Sequence, residues 1–283
     1  MQLPTKLTKT CLIAMAMTLS PLSMAVDYSV HTIMPSSGND ALQLDNHNNL
    51  YVSFSGKFGA TGLSGTKVRK ISANGDITEH VSNLNGPLGT NFDSQGNMYV
   101  ANYNTGDITK LTPKGESTLF VDIGSAGFAS GIAIDSHDNI FVASFAGNAI
   151  YKVDLSGKKE LWIKDKRLNG PVGIVMDENE NIYVGNYNDG KVFKIEKNKT
   201  ITELAAAPVG LGYIAYAKGS VFGTGYNKNV IYKIGVNGGP VQVLEGSAEA
   251  GFKFPNGITT SPDGEKLYVS NYLNKKIIVI QNF

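Results

Sequence analysis

Cysteine is nearly absent from this 283-residue chain, and its single copy, Cys11, lies near the start. A disulfide framework, a thiolate zinc site and thiol catalysis are thereby excluded for any form that lacks the first two dozen residues. Long apolar runs are missing too. The stretch from Cys11 to Leu19 is nine residues, whereas a membrane-spanning helix needs about 20. Neither sign of charge dominates: the formal net charge is +1 and no basic run occurs, so there is no electrostatic case for nucleic acid. The four histidines, His31, His47, His80 and His137, show no ligand spacing on a strand or helix, which argues against a His-based zinc site or a catalytic triad. No Gly-x-Ser-x-Gly elbow is present.

What the chain does have is a repeat. From Asn169 to Leu204, four short apolar runs alternate with turns rich in Asn, Asp, Gly and Lys, residues suited to tight hairpins. Four such strands cannot bury both faces alone, so the unit needs neighbours. The aromatic-Val pair of its second strand recurs as Tyr51-Val52, Tyr99-Val100, Phe141-Val142, Tyr183-Val184 and Tyr268-Val269, with Val221-Phe222 as a reversed copy. The spacings are 48, 42, 42, 38 and 47 residues. Asp45, Asp93, Asp135 and Asp177 each end a first strand, and Pro262-Asp263-Gly264 makes the same turn in the last copy. Periods of about 40–50 residues with four strands each belong to β-propellers. The expected fold is therefore all-β, a six-bladed β-propeller of four-stranded blades.

The last copy holds only three strands. The segment from Tyr28 to Ile33 alternates as an edge strand should, and is expected to complete the last blade and close the ring. The expected blades span about 40–84, 85–128, 129–168, 169–209, 210–252, and 253–283 joined by 27–33, in one domain over residues 26–283. Residues 1–25 read as a secretory signal, with Lys6 and Lys9, the apolar stretch, and Ser23-Met24-Ala25 before the cut. The expected mature protein is bacterial, periplasmic or secreted, monomeric and without a membrane span.

Propeller sites form where first strands begin, at one mouth of the axial channel. The position before the first-strand glycine (Ala41 in the first copy) reads Asp40, Leu88, Ser130, Val172, Leu211 and Asn256. Asp40 and Asn256 become neighbours on closure, and a carboxylate beside a carboxamide suits a hard cation, Ca²⁺ first, though both residue types also cap turns. Loops after the second strands bring Asn102-Tyr103, Asn186-Tyr187 and Asn271-Tyr272, which suit a sugar, lactone or aromatic ligand or, recurring in phase, a structural role. The loop Ser55 to Thr66 is about a dozen residues where other blades use roughly four to six, and reads as a flap over one mouth.

The segments NGPLGTNFDSQGNMYVANYNTGDITKL and FPNGITTSPDGEKLYVSNYLNKKIIVI resemble NHL repeats and the senescence-marker-protein/gluconolactonase superfamily of six-bladed propellers. The resemblance covers essentially the whole chain after residue 25. It implies one axial divalent cation, with Asp40 at the position of a first-blade Glu ligand and Asn256 in a Pro-Asn-Gly that supplies an Asn ligand. Leu88, Val172 and Leu211 stand where further polar ligands belong. Two readings follow: a propeller binding a small molecule, peptide or protein at its mouth, and a metal-dependent hydrolase of lactones or related esters.

Overall fold

A computed structural model describes residues 26–124 and 128–283. The leader expected over residues 1–25 lies outside the described residues. Six four-stranded antiparallel sheets are arranged as a propeller, with one further two-stranded ribbon in the first blade. No helix of the described residues is long and apolar enough to cross a membrane.

The innermost strands are Asn39–Leu44, Pro87–Phe92, Ala129–Ile134, Pro171–Met176, Leu211–Ala217 and Pro255–Thr260, one per blade. Each touches the next, and the last returns to the first, so they form a closed circle. First and second strands are almost wholly buried, while outer strands such as Ile77–Val81 and Ser117–Asp122 are largely exposed. The core therefore lies between blades and around the axis.

One turn explains why the repeat reads so clearly. In the second blade, Asp93 Oδ1 accepts from the amides of Gln95 and Asn97, while Oδ2 accepts from the Asn97 side chain and the Tyr99 hydroxyl. Asp45 and Asp177 repeat this set with Asn49 and Tyr51, and with Asn181 and Tyr183. A single carboxylate thus satisfies turn donors and anchors the following strand. In the third blade Asp135 and Asn139 keep the turn, but Phe141 has no hydroxyl. Tyr183→Phe is expected to cost about 1 kcal/mol, and Phe141→Tyr to recover up to about 1 kcal/mol, in denaturant unfolding.

The register corrects one detail of the repeat. Ala215 pairs with Phe222, and Ile214 with Gly223, as Gln43 pairs with Tyr51 and Leu42 with Val52. Phe222-Gly223 is therefore the fifth copy of the aromatic-Val pair, in the usual order, and Val221-Phe222 is not a reversed one. Glycine replaces valine there because Leu211 packs against that position.

Closure follows the expected route. Asp27–Ile33 pairs antiparallel with Lys276–Gln281 as the outer strand of the sixth blade. It covers the backbone edge of Ile277, Ile278, Val279 and Ile280, all of which are buried. Val26 and Tyr28 also pack on the adjoining core. Deleting residues 26–33 is expected to lower the melting temperature by about 10 °C, equivalent to about 3–5 kcal/mol, and to promote aggregation through the exposed edge. Unchanged melting would show the strand to be dispensable.

Candidate functional site

The same register defines which residues reach the axial mouth. Asn39, Pro87, Ala129, Pro171, Leu211 and Pro255 each pair with the end of their second strand, before regular pairing resumes at Leu42, Thr90, Ile132, Gly173, Ile214 and Ile258. The next residue in each blade takes the mouth position: Asp40, Leu88, Ser130, Val172, Gly212 and Asn256, of which all but the glycine line the mouth with their side chains. Leu211, expected at the mouth from its neighbouring glycine, instead occupies the Pro position and is fully buried. The sequence misleads here because Gly210 and Gly212 flank Leu211, and only strand pairing chooses between them.

A cavity of about 410 Å³ opens at this mouth. Asp40, Ser130, Asn256, Leu88, Val172 and Tyr213 line its depth, and Phe58, Leu63, Tyr103, Phe145, Tyr187, Tyr226 and Tyr272 its wall. The wall is a collar of six aromatic rings, one from each blade. Successive centroids lie 6.5 Å (Phe58–Tyr103), 6.3 Å (Tyr103–Phe145), 6.3 Å (Phe145–Tyr187), 6.4 Å (Tyr187–Tyr226) and 5.9 Å (Tyr226–Tyr272) apart, inclined by 59–70°. Phe58 and Tyr272, from the first and last blades, line the same wall where the ring of blades closes.

Phe58 comes from the flap. Phe58–Gly59 and Gly62–Leu63 form its short ribbon, and Phe58 is 70% exposed at the rim. Asn104 of the second blade grips it, accepting from the Leu63 amide at 2.9 Å and donating to the Leu63 carbonyl at 2.8 Å. The flap is thus a wall of the cup, pinned across to the next blade. Its glycine-rich base is packed tightly, since a Cβ on Gly65 would lie 1.9 Å from the Phe54 carbonyl oxygen.

Two buried polar groups mark the floor. Asp40 is 3% exposed, and its carboxylate accepts from the Ser55 hydroxyl at 2.8 Å and the Ala41 amide at 3.0 Å, with the Asn256 side chain beside it. Burial nevertheless pushes its pKa up to about 6, outweighing these hydrogen bonds. Tyr213 stands where other blades have Gly89, Gly131, Gly173 and Gly257, and it lines this cavity and the one at the opposite mouth, so its ring separates them. Its hydroxyl is buried and has no hydrogen-bond partner. Burial, then the charge of Asp40, raises the Tyr213 pKa well above the usual tyrosine value.

The donor set is thin for a hard cation. Ca²⁺ takes six to eight oxygens, whereas the ring offers Asp40, Asn256 and the Ser130 hydroxyl, the last already bonded to the Ala143 and Pro171 carbonyls. Leu88, Val172 and Gly212 supply no side-chain oxygen, and the Asp40 carboxylate is already engaged. Among the described residues no group of three or more His, Cys, Asp or Glu side chains converges. The residues present do not fit such an ion.

Of the residues singled out in sequence, Asp40, Ser130, Asn256, Tyr103, Tyr187 and Tyr272 come together around the cup. Asn102, Asn186 and Asn271 sit beside it as buried fasteners. Asn102 accepts from the Asn85 amide, Asn186 donates to the Arg167 carbonyl, and Asn271 accepts from the Lys253 amide and donates to the Lys276 carbonyl. Ser55, Phe58, Leu63 and Tyr213 were not foreseen. The unusual loop length hinted at the first three, and the lost glycine in phase at Tyr213.

A closed six-bladed propeller with a ligand-sized cup on its axis defines the class. Within that class the chain belongs to the Virginiamycin B lyase family, whose model matches residues 42–280. The virginiamycin B lyase from Staphylococcus aureus has a similar structure, with a TM-score of 0.69 at 16% identity over 91% of this chain and 100% of that one. A catalytically inactive His-to-Ala form of that lyase, with quinupristin, compares equally (TM-score 0.68, 16% identity, 91% and 100% coverage). A gluconolactonase from Xanthomonas campestris gives a TM-score of 0.72 at 10% identity, over 90% of this chain and 89% of that one. No curated protein matches.

Because Asp40 is harder to ionise in the fold (about 6) than in the unfolded chain (3.8), the folded state binds more protons between those values. Its contribution therefore becomes unfavourable as pH rises from about 4 to 6, and stays so above, by up to about 3 kcal/mol. Asp40→Asn is expected to raise the melting temperature at pH 8 and to bring little gain at pH 4. An equal difference at both pH values would place the burden elsewhere.

Proposed function

We propose that this chain is a monomeric, exported binding propeller whose axial cup takes a small organic molecule between the aromatic collar and the Asp40 floor. The observation that carries it is the six-ring wall over one buried carboxylate. Apolar aromatic walls with a few convergent polar groups are the ordinary make-up of a ligand pocket. Export rests on the leader-like residues 1–25.

The relatives suggest chemistry, either elimination on a streptogramin or hydrolysis of a lactone, but the cup does not carry it over readily. The lyase whose His-to-Ala form is inactive depends on a histidine, and no histidine lines this cup. A hydrolase or lyase working through an axial cation would draw on Asp40 and Asn256, a thin set for a hard ion. A cation at a hundred times its dissociation constant would add about 2.7 kcal/mol to stability. Melting in EDTA and then in excess Ca²⁺, Mg²⁺, Mn²⁺ or Zn²⁺ is expected to give no shift. A rise with one cation, lost in Asp40→Ala with Asn256→Ala, would restore the enzymatic reading.

The binding reading is tested directly by saturation-transfer NMR with p-cresol, indole and gluconolactone as probes. Binding of at least one is expected, and its loss in Val172→Trp, which fills the cup. If none binds, or the variant binds as well as the parent, the cup is not the site.

A further inference from the structure

We propose that the molecule held in the axial cup is an organic ammonium ion, seated on the propeller axis with the aromatic collar around its charge and the Asp40 carboxylate below it. This rests on the binding role proposed above and adds the ligand's chemical class.

The collar supplies the first reason. Five of the six steps between neighbouring rings measure 5.9–6.5 Å, and all six rings line one cavity. Aromatic cages lined this densely suit ammonium groups, which shed water easily and are held by cation–π attraction.

Charge supplies the second. Asp40 is the one ionisable acidic or basic side chain lining the cup, and no Lys, Arg or His accompanies it there. The groups that hold it, Ser55, the Ala41 amide and Asn256, are all neutral. An ionised, buried carboxylate without a counter-charge is costly, and a cationic ligand removes that cost. An anion would be repelled, and a neutral sugar or lactone would leave the charge unanswered. A small inorganic cation would meet Leu88, Val172 and the rings where it needs oxygens.

The third is the orphaned Tyr213 hydroxyl. It is buried, unpartnered and close enough to Asp40 to feel its charge. A ligand N–H or hydroxyl reaching the floor would give it the partner it lacks.

The test is calorimetric or NMR titration with choline and with dimethylbutanol, its uncharged carbon isostere, alongside p-cresol as a neutral control for the cup. At pH 8 choline is expected to bind at least tenfold more tightly than the isostere. The preference should vanish in Asp40→Asn. Tyr226→Leu, which keeps much of the apolar bulk and removes one π face, should weaken choline more than the isostere and does not depend on the Asp40 variant folding. Equal binding of choline and isostere, or choline affinity untouched by both variants, overturns the inference. If p-cresol binds and choline does not, the ammonium assignment falls while the cup stands. If nothing binds, both fall.

Discussion

In four of the six blades the innermost strands approach one another so closely around the axis that no side chain fits between them at one position. A Cβ on Gly89, Gly131 or Gly257 would lie 2.3 Å from the carbonyl oxygen of Ser130, Val172 or Asp40 in the adjoining blade. This backbone-on-backbone contact sets the radius of the channel and leaves the preceding residue of each blade at the mouth. Hydroxyls fasten the contact at several blade junctions. Ser53 donates to the Leu88 carbonyl, Thr224 to that of Asn256, and Ser270 to that of Asp40 across the closure. The ring is a circle of backbones first and a set of cores second.

The fifth blade departs from that rule, and the site exists where it does. Tyr213 takes the glycine position and Gly212 the mouth position, so a large side chain enters the axis while the backbone beside it stays bare. At Gly173, the contact with the fifth blade is looser at the carbonyl, with the Gly212 oxygen 3.1 Å from a hypothetical Cβ. The same residue, Tyr213, closes the floor of the cup and parts it from the opposite mouth. Asp40 lies deep in this aromatic-walled space, and its burial there makes the carboxyl hard to ionise.

Most of the fold is legible in the amino-acid sequence because its repeated elements are local. The carboxylate of Asp93 bonds to residues two, four and six places on, so the turn and the strand after it are written in one short segment. Closure by Tyr28 to Ile33 is legible too, from a missing fourth strand and an alternating segment. The site is half legible. Asp40, Ser130 and Asn256 can be placed by phase, and so can the Tyr of each Asn-Tyr pair. Phase says nothing of side-chain direction, and it does not tell that Tyr103, Tyr187 and Tyr272 face the cup while Asn102, Asn186 and Asn271 turn back into the blades.

The sequence by itself therefore determined the number of blades, their turns and the closing strand, because each depends on contacts between residues a few places apart or on a repeat that counts itself. Tertiary structure alone decided that Gly212 rather than Leu211 faces the mouth, that Phe58 and Leu63 form part of its wall, and that six aromatic rings meet as one collar. Those outcomes depend on how strands from different blades register and how far apart they stand around the axis. No single repeat contains that distance; it arises only when six of them close.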